Sequence, residues 1–378
     1  MTINDLRQWK EKGNIIILYC AGLHGIEFKK ILNILDIDVD FFCDNNCKKI
    51  NSYIDNVKCI SPQMVHLYNN YCIIICTGIE NYEKMYIKAK NQLLLNIIDF
   101  RKIFDSIISD INMMKIVIEK RYKWIAADLF YTNIERKVYD KIEPIKINKN
   151  RIAVYTSCFG KYDDIILPKY FSDNIDYYFI SDEVPSLNSS YNWIDAKKII
   201  PANIISPIKR NRYIKMHPDI IFPQYKYSIY VDANIEIKGD LSTFICRSRS
   251  GISVFLHSRR DCLYYEAMTI VNYKRIVPED AILQISKYLK EGMPLHYGLT
   301  EMPVIVREHN NPLCKKIMKE WWIEFQNGSQ RDQLSFTYVL WKNGLTLNDL
   351  AILGRNVRSS DKLKFHKHHK DSISVKNE

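Results

Sequence analysis

The sequence predicts an α/β protein with two successive open sheets, and two observations support this prediction. Over roughly the first hundred residues, short apolar runs alternate with helical spacing of apolar residues, which is typical of parallel strands joined by helices. A second series of apolar runs begins at residue 151, and its runs end in small or polar residues. A chain of 378 residues suits two domains, and its 47% hydrophobic content is sufficient for two cores.

The first strand–turn–helix unit contains a reduced form of a dinucleotide-binding turn. Residues 14–20 (NIIILYC) lead into a turn with Gly22 and Gly25, but the third glycine of that fingerprint is missing. Asp44, followed by an Asn, closes the next apolar run, where a carboxylate that binds ribose would be expected. With the Ile-Ser-Pro at 60–62, this part resembles the small Rossmann-like domains attached to many bacterial sugar-modifying enzymes. We favour a structural or docking role over an active cofactor site.

Changes in pattern along the chain set the expected domain boundaries. Residues from about 103 to 140 show helical spacing without strand alternation, and residues 143–150 (EPIKINKN) are polar with one proline, which favours a boundary. We expect a Rossmann-like domain over 1–102, a helical connector over 103–148, a second α/β domain over 149–355 and a basic polar tail over 356–378.

Charge and cysteine content bear on partners and compartment. A net charge of +11 favours a partner such as a nucleotide diphosphate, an anionic glycan or a lipid phosphate, although a basic soluble protein fits equally well. We find no secretory signal pattern and no run of the roughly 18 apolar residues that a membrane helix needs. Cys72 and Cys76 in YCIIICTG are interpreted as reduced core thiols. We expect a cytoplasmic protein, with peripheral attachment at the inner face of the membrane left open, and no nucleic-acid partner.

Two strand ends of the second domain supply candidate nucleotide contacts. The run at 151–156 (RIAVYT) ends in Thr156 and enters a loop with Phe159 and Tyr162, and the next run ends in Asp182. An open α/β sheet presents such groups to a nucleotide at its carboxyl edge. Neither strand is specific on its own.

A third strand end carries the pattern of a metal site. The run Ser-Ile-Tyr-Val at 228–231 delivers Asp232, Ala233 and Asn234. Two oxygen side chains two residues apart can share a Mg²⁺ or Mn²⁺ ion, which would neutralise a diphosphate leaving group. Taken alone, the triplet fits an ordinary Asx-rich turn better.

The surroundings of this triplet resemble glycogenin-like glycosyltransferases of the GT-A type. In those enzymes a basic helix and a proline precede a Tyr-hydrophobic-Asp-Ala-Asp strand end and a Gly-Asp-Leu. The matching residues here are Arg212 and Lys215, Pro223, residues 230–234 (YVDAN) and residues 239–241 (GDL). Asn replaces the second Asp, so one negative charge is lost and metal affinity should fall.

A closer resemblance extends over residues 151–340 and rests on seven ordered blocks. It is to the glycosyltransferase-like family shared by bacteria and plants, whose plant members are linked to mucilage and turgor. This resemblance implies a GT-A-type domain, a nucleotide diphosphate sugar donor, a divalent metal, and a glycan or lipid-linked acceptor in surface polysaccharide biosynthesis. The blocks are VYTSCFGKYD at 154–163, the strand ending at 181–182, RYIKMHPDIIFP at 212–223, YVDANIEI at 230–237, HSRRDCLYYEA at 257–267, GLTEMPVIVREHN at 298–310, and WW at 321–322 with RDQLSF at 331–336.

Three further residues in these blocks are site candidates. Arg260 could hold a phosphate or an acidic sugar, with a solvated charge cluster as the equal alternative. Glu301 is a candidate catalytic residue and acceptor-hydroxyl contact. His309 is a candidate metal ligand or acceptor contact, although a structural histidine is more common.

The last candidates are Asp332 and Gln333, which open a helix. An acidic residue there is favoured by the helix dipole whatever the function. In glycogenin-like enzymes an Asp-Gln pair in this place lies next to the donor sugar, so the resemblance implies a catalytic role as base, sugar-hydroxyl ligand or electrostatic support. Those enzymes also take a third metal ligand from a late histidine, and the candidates here are His366, His368 and His369.

The sequence thus favours a metal-assisted glycosyltransferase, of hexosyltransferase type. A metal-dependent hydrolase that uses the same carboxylates is the first alternative, and it would need no nucleotide. A degenerate, non-catalytic sugar-nucleotide-binding protein is the second, with Asn234 as the mark of a lost metal site.

Overall fold

Two compact units make up the chain. The computed structural model describes residues 1–120, 144–145, 151–160, 165–185 and 190–367. One unit is formed by Met1–Glu135 with Cys262–His296, and the other by Arg136–Asp261 with Tyr297–Glu378. The predicted α/β class is confirmed in both units.

The first unit contains a mostly parallel six-stranded sheet. Its order is β3-β4-β2-β1-β5-β6, and every neighbouring pair is parallel except β3 with β4. This confirms the predicted Rossmann-like sheet. The elements are α1 (Ile3–Glu11), β1 (Ile15–Tyr19), α2 (Leu23–Ile34), β2 (Phe41–Cys43), β3 (Tyr53–Ile54), β4 (Val57–Ile60), α3 (Pro62–Val65), β5 (Tyr71–Ile75), α4 (Ile79–Asn91), β6 (Ile97–Asp99), α5 (Phe100–Ser109) and α6 (Ile111–Glu119).

The glycine turn after β1 is a close-packed structural turn. A Cβ atom at Gly25 would lie 2.6 Å from the Cys20 carbonyl oxygen, so a side chain there would force the backbone to shift. The Asp44 carboxylate accepts hydrogen bonds from the Ala21 backbone N–H at 3.0 Å and from Lys49 Nζ at 3.1 Å. The Asp44 carboxylate, for which the sequence suggested a ribose contact, is therefore already hydrogen-bonded to Ala21 and Lys49.

The second unit contains a mixed seven-stranded sheet in the order β14-β12-β13-β10-β7-β8-β9. Strand β13 runs antiparallel to both of its neighbours, and the other pairs are parallel. Strands β11 and β15 form a separate antiparallel pair. From β7 onward the elements are β7 (Ile152–Ser157), β8 (Ile175–Ser181), β9 (Asn192–Asp195), α7 (Pro207–Met216), α8 (Pro218–Ile221), β10 (Tyr227–Val231), β11 (Ile235–Ile237), β12 (Ile252–Leu256), α9 (Leu263–Asn272), α10 (Pro278–Glu291), β13 (Thr300–Arg307), α11 (Pro312–Asn327), α12 (Gln333–Lys342), β14 (Ala351–Gly354) and β15 (Leu363–Phe365).

Helices α9 and α10 group with the first unit although they lie between β12 and β13 in the chain. Helix α10 packs on α6. The Tyr265 hydroxyl of α9 donates a hydrogen bond to the Asp105 carboxylate of α5. The sequence did not predict this grouping, because it depends on contacts between segments more than 150 residues apart.

The predicted connector and tail are described only in part. Residues 103–119 are largely helical, in α5 and α6, whereas 121–143 and 146–148 lie outside the described residues. Within the predicted tail, Leu363–Phe365 form β15, which pairs with β11. Cys72 and Cys76 are buried, as expected for core thiols. None of the helices in the described part combines the length and the apolar character needed to cross a bilayer.

Candidate active site

The carboxyl ends of three neighbouring strands meet at one edge of the second sheet. Strands β10, β7 and β8 pair in parallel, so the residues that follow them lie on the same edge. Helix α7 is attached here, because the Asn211 side-chain amide donates to the Ser157 carbonyl oxygen at 3.0 Å and to the Tyr230 hydroxyl at 3.3 Å. This attachment brings two cations of α7, Arg212 and Lys215, to the strand ends.

Two cations and two carboxylates form a cluster at this edge. Lys215 Nζ lies 2.7 Å from Asp332 Oδ2 and 3.8 Å from Asp232 Oδ1. Arg212 Nε lies 2.9 Å from Asp332 Oδ2, as an ion pair without hydrogen-bond geometry. Lys215 and Asp332 are 1% and 5% exposed, so solvent screens their charges weakly. The structure thus brings together four residues that the sequence had proposed for donor binding or catalysis.

Asp332 is held in its ionised form. Burial alone would raise its pKa, but Arg212, Lys215 and Arg331 keep the pKa of Asp332 well below its ordinary value. A carboxylate with such a low pKa is a poor proton acceptor at neutral pH. Of the roles left open by the sequence, this arrangement suits electrostatic support better than general-base catalysis.

Two fully buried side chains hold the cluster from behind, and sequence reasoning missed both. The Arg307 guanidinium donates hydrogen bonds to the Lys215 carbonyl oxygen and to the Tyr155 hydroxyl. Trp321 Nε1–H donates to the Asp332 carbonyl oxygen at 3.0 Å. The available signal for Arg307 was a cation in an otherwise apolar strand (VIVR), because a buried charge needs partners.

The Asp232 loop is fixed at both of its ends. The Asp232 backbone N–H donates to the Pro303 carbonyl oxygen at 2.8 Å. Asn234 is 8% exposed, and its Nδ2 donates to the His366 carbonyl oxygen at 3.1 Å. The Asp232 side chain is 32% exposed, so its carboxylate is accessible from solvent. Ala233 lies between these residues and is partly buried.

The oxygen atoms of this loop fit a divalent cation only in part. The Asp232 carboxylate is the hard, accessible donor that Mg²⁺ or Mn²⁺ prefers. Because Asn234 Nδ2 donates to a carbonyl, only its Oδ1 could serve a cation. Among the described residues, no three His, Cys, Asp or Glu side chains form a metal-binding group. A cation here would therefore have to share its coordination with a ligand or water. His368 and His369 lie outside the described residues.

The structure does not bring His309 to this loop. His309 is 1% exposed, and its Nε2–H donates to the Phe222 carbonyl oxygen at 2.9 Å, while Nδ1 accepts from the Ser228 hydroxyl at 3.0 Å. Burial lowers the pKa of His309 to about 4, so the ring is neutral. Ser228 precedes Asp232 by four strand positions, which corresponds to about 13 Å. His309 thus supports the amino end of β10.

The ends of β7 and β8 carry an aromatic and charged group. Arg210 binds Asp182 through two contacts of 2.9 and 2.6 Å, and its guanidinium carbon lies 5.2 Å from the centre of the Phe159 ring. The buried Thr156 hydroxyl has no hydrogen-bond partner in the part of the chain that the structure describes. Tyr162 lies outside the described residues. Arg210 was not among the predicted site residues.

Glu301 and Gln333 lie on neighbouring elements. Glu301 Oε1 accepts from the Ser258 hydroxyl at 3.1 Å and from its backbone N–H at 3.3 Å. Burial raises the pKa of Glu301 despite these hydrogen bonds, which brings its titration closer to neutral pH. Gln333 Nε2 donates to the Thr300 carbonyl oxygen at 3.4 Å, so the start of α12 adjoins the start of β13.

Arg260 is buried in the loop after β12. It is 6% exposed, and its Nη2 lies 3.4 Å from His257 Nε2. Burial and the neighbouring arginines lower the pKa of His257 to about 3, so this histidine is neutral. Arg260 is therefore a packed side chain and not the solvated charge that was the alternative at the sequence level.

Two kinds of comparison place the chain among known proteins. The family model "TOD1/MUCI70, glycosyltransferase-like domain" matches residues 136–353. Among solved structures, the chain is similar to the WbbM bifunctional glycosyltransferase in its apo form, with 12% identity and a TM-score of 0.37 over 55% of this chain and 40% of that one. It is also similar to mouse xyloside xylosyltransferase 1, with 10% identity and a TM-score of 0.34 over 54% of this chain and 85% of that one. No curated protein matches.

These matches differ in weight. Both TM-scores are too low to support an argument, and the chain spans less than half the length of WbbM. The family match, in contrast, covers more than half of the chain and includes Asp232, Asp332 and α7. It confirms the resemblance drawn from the seven sequence blocks. The chain belongs to the TOD1/MUCI70 glycosyltransferase-like family.

Proposed function

We propose that the second unit transfers a sugar from a nucleotide diphosphate sugar to a glycan or lipid-linked acceptor in surface polysaccharide biosynthesis. The observation that supports this most strongly is the pair of cations at the carboxyl edge of the sheet: Lys215, which is buried between Asp332 and Asp232, and Arg212, which is partly buried and pairs with Asp332. In a glycosyltransferase-like domain, this edge is where a diphosphate would lie.

The chemistry of sugar transfer requires positive charge at this position. When the bond between the sugar and the diphosphate breaks, negative charge develops on the departing phosphate oxygen. Cations that are already fixed in a water-poor site stabilise that charge without reorganisation. Arg212 and Lys215 meet this requirement, because Asp332 and the Arg307–Lys215 hydrogen bond hold them in place.

A Mn²⁺ or Mg²⁺ ion would add to this charge. Asp232 would hold it, with Asn234 Oδ1 as a second candidate ligand and the donor phosphates completing its coordination. The ion would neutralise the leaving diphosphate as a Lewis acid. Lys215 Nζ, 3.8 Å from the Asp232 carboxylate, already offsets part of its charge, so we expect modest metal affinity in the absence of nucleotide.

The two ends of the donor have separate candidate contacts. The partly exposed Arg210–Asp182 pair at the ends of β7 and β8, with Arg210 packed on the buried Phe159 ring, offers a polar edge for the nucleoside. On the other side, Glu301 and Gln333 are candidates for the sugar and acceptor hydroxyls. Burial raises the pKa of Glu301, which makes it a better proton acceptor than an ordinary carboxylate.

The test is nucleoside diphosphate release from a panel of UDP- and GDP-sugars, with Mn²⁺ or Mg²⁺ and a mixture of oligosaccharide acceptors. We expect release from one nucleotide class and a loss of about 10²–10³-fold in Asp232→Asn, as for the removal of one strong electrostatic group. Glu308→Gln is the matched control, because Glu308 forms a partly exposed ion pair with Lys226 near the start of β10. Equal rates in Asp232→Asn and wild type would refute the proposal.

A further inference from the structure

The last described segment of the chain contacts the Asp232 loop directly. Strand β15 pairs with β11, the strand that begins one residue after Asn234. The His366 backbone N–H donates to the Asn234 carbonyl oxygen at 2.9 Å, and Asn234 Nδ2 donates to the His366 carbonyl oxygen at 3.1 Å. Backbone and side chain of Asn234 are thus both bound to a residue 132 positions later.

A buried carboxylate secures the same contact. Glu236 on β11 is 3% exposed, and its Oε2 lies 2.7 Å from His366 Nε2. Its Oε1 lies 2.9 Å from Lys169 Nζ, and Lys364 Nζ lies 3.9 Å from Oε2. Glu236 therefore links β11 both to His366 and to Lys169.

Close packing continues along the segment on either side of these contacts. The Arg358 guanidinium carbon lies 4.3 Å from the centre of the Phe365 ring. A Cβ atom at Gly239 would lie 3.0 Å from the Lys362 side chain, so glycine permits the approach of the two strands. The family match ends at residue 353, before this segment begins.

We propose that residues 357–366, the C-terminal clasp, form part of the donor site. The clasp positions Asp232 through its hydrogen bonds to Asn234. This inference rests on the proposed function, because it assigns the clasp to the site that binds the nucleotide diphosphate. Asn234 is then a positioning residue, and its amide is required because a donor must face the His366 carbonyl. A carboxylate at 234 would place two acceptors against each other, which costs the hydrogen bond and leaves an acceptor unsatisfied.

The variants Asn234→Asp and Asn234→Ala separate the clasp from a purely metal-binding role. If Asn234 acts through the clasp, both variants weaken the binding of nucleoside diphosphate with Mn²⁺ by about tenfold, the equivalent of one net hydrogen bond. If Asn234 acts only as a metal ligand, Asn234→Asp adds a negative charge and tightens binding. That result would overturn the inference.

A second pair of variants, at position 366, tests the same hydrogen bonds from the His366 side. His366→Pro removes the N–H that donates to Asn234, whereas His366→Ala keeps it and removes only the contact with Glu236. We expect the larger loss of nucleotide affinity in His366→Pro and an unchanged affinity in Lys367→Ala, a control just beyond the clasp with an exposed side chain. A merely structural strand would lower the unfolding midpoint and leave the dissociation constant, measured well below that midpoint, unchanged.

Amide hydrogen exchange keeps the clasp testable if no nucleotide binds. In that case the proposed function fails, and exchange at residues 232–237 decides the clasp separately. We expect faster exchange there in Asn234→Ala and in His366→Pro, and wild-type exchange in Lys367→Ala, because protection follows the local free energy of opening. Unchanged exchange at 232–237 in both variants would overturn the clasp.

Discussion

Asn in place of Asp332 should destabilise the second unit strongly. The substitution keeps the size of the side chain and removes its charge, so Arg212 and Lys215 remain in the cluster without their shared carboxylate. Removing one partner of a buried ion pair costs about 3–5 kcal/mol. For a domain of this size we expect the unfolding midpoint to fall by roughly 10 °C. The Trp321 hydrogen bond is retained, because it binds the backbone oxygen of residue 332.

The pH dependence of this effect follows from the low pKa of Asp332. A carboxylate whose pKa is lowered on folding stabilises the protein above its ordinary pKa, and this contribution is lost only as the pH falls below that value. The difference between Asp332→Asn and wild type should therefore be the same at pH 6 and at pH 8.

The assay is urea unfolding followed by tryptophan fluorescence, with Glu308→Gln as the matched control. Glu308 and Lys226 form a partly exposed pair, for which the expected change is at most about 1 kcal/mol. If the free energy of unfolding of Asp332→Asn differed from that of the wild type by no more than about 1 kcal/mol, Asp332 would not be needed to compensate Arg212 and Lys215. The described cluster would then be refuted.

Three further predictions concern single side chains. His309→Gln should reduce the loss of stability between about pH 6.5 and pH 4, because in the wild type the unfolded state binds a proton there and the buried ring does not. Urea midpoints measured across that range check this, and an unchanged pH dependence would contradict the neutral, buried ring. Arg307→Met should cost about 1–3 kcal/mol and weaken nucleotide binding, because the Lys215 carbonyl loses its donor; titration with nucleoside diphosphate checks the second effect, and unaltered affinity would separate Arg307 from the site. Glu301→Gln should lower the rate of transfer and remove a step in the pH–rate profile that lies above the ordinary carboxyl pKa; a profile identical to wild type would exclude Glu301 as a proton-exchanging group.

Much of the fold could be predicted because its signals are local. Apolar runs such as residues 14–20 and 228–231 mark buried strands, and the polar residues that end them fall at the carboxyl edge when the strands are parallel. For this reason Asp182 and Asp232 were recognised as edge residues from the chain alone. The family resemblance added Asp332 and the basic residues of α7 to the predicted site. Their proximity to Asp232 depends on tertiary packing, which the sequence pattern does not show.

Strand direction was the information that the sequence lacked. Strand β13 ends in polar residues just as β10 does, and His309 therefore resembled a further edge residue. Because β13 runs antiparallel to β10, its end lies beside the start of β10, at Ser228. The pairing of β15 with β11 was equally inaccessible, since strands of three residues are too short to show a recognisable alternation.

The most direct test of the central claim, that the Arg212–Lys215–Asp232 cluster binds a nucleotide diphosphate, is thermal unfolding with UDP, GDP and CMP, each with and without Mn²⁺. A ligand at a hundredfold excess over its dissociation constant stabilises the folded state by about 2.7 kcal/mol. We predict that one nucleoside diphosphate raises the midpoint in wild type and in the control Lys226→Met, more strongly with Mn²⁺, and has no effect in Arg212→Met. An equal shift in Arg212→Met, or no shift with any nucleotide, would contradict the account.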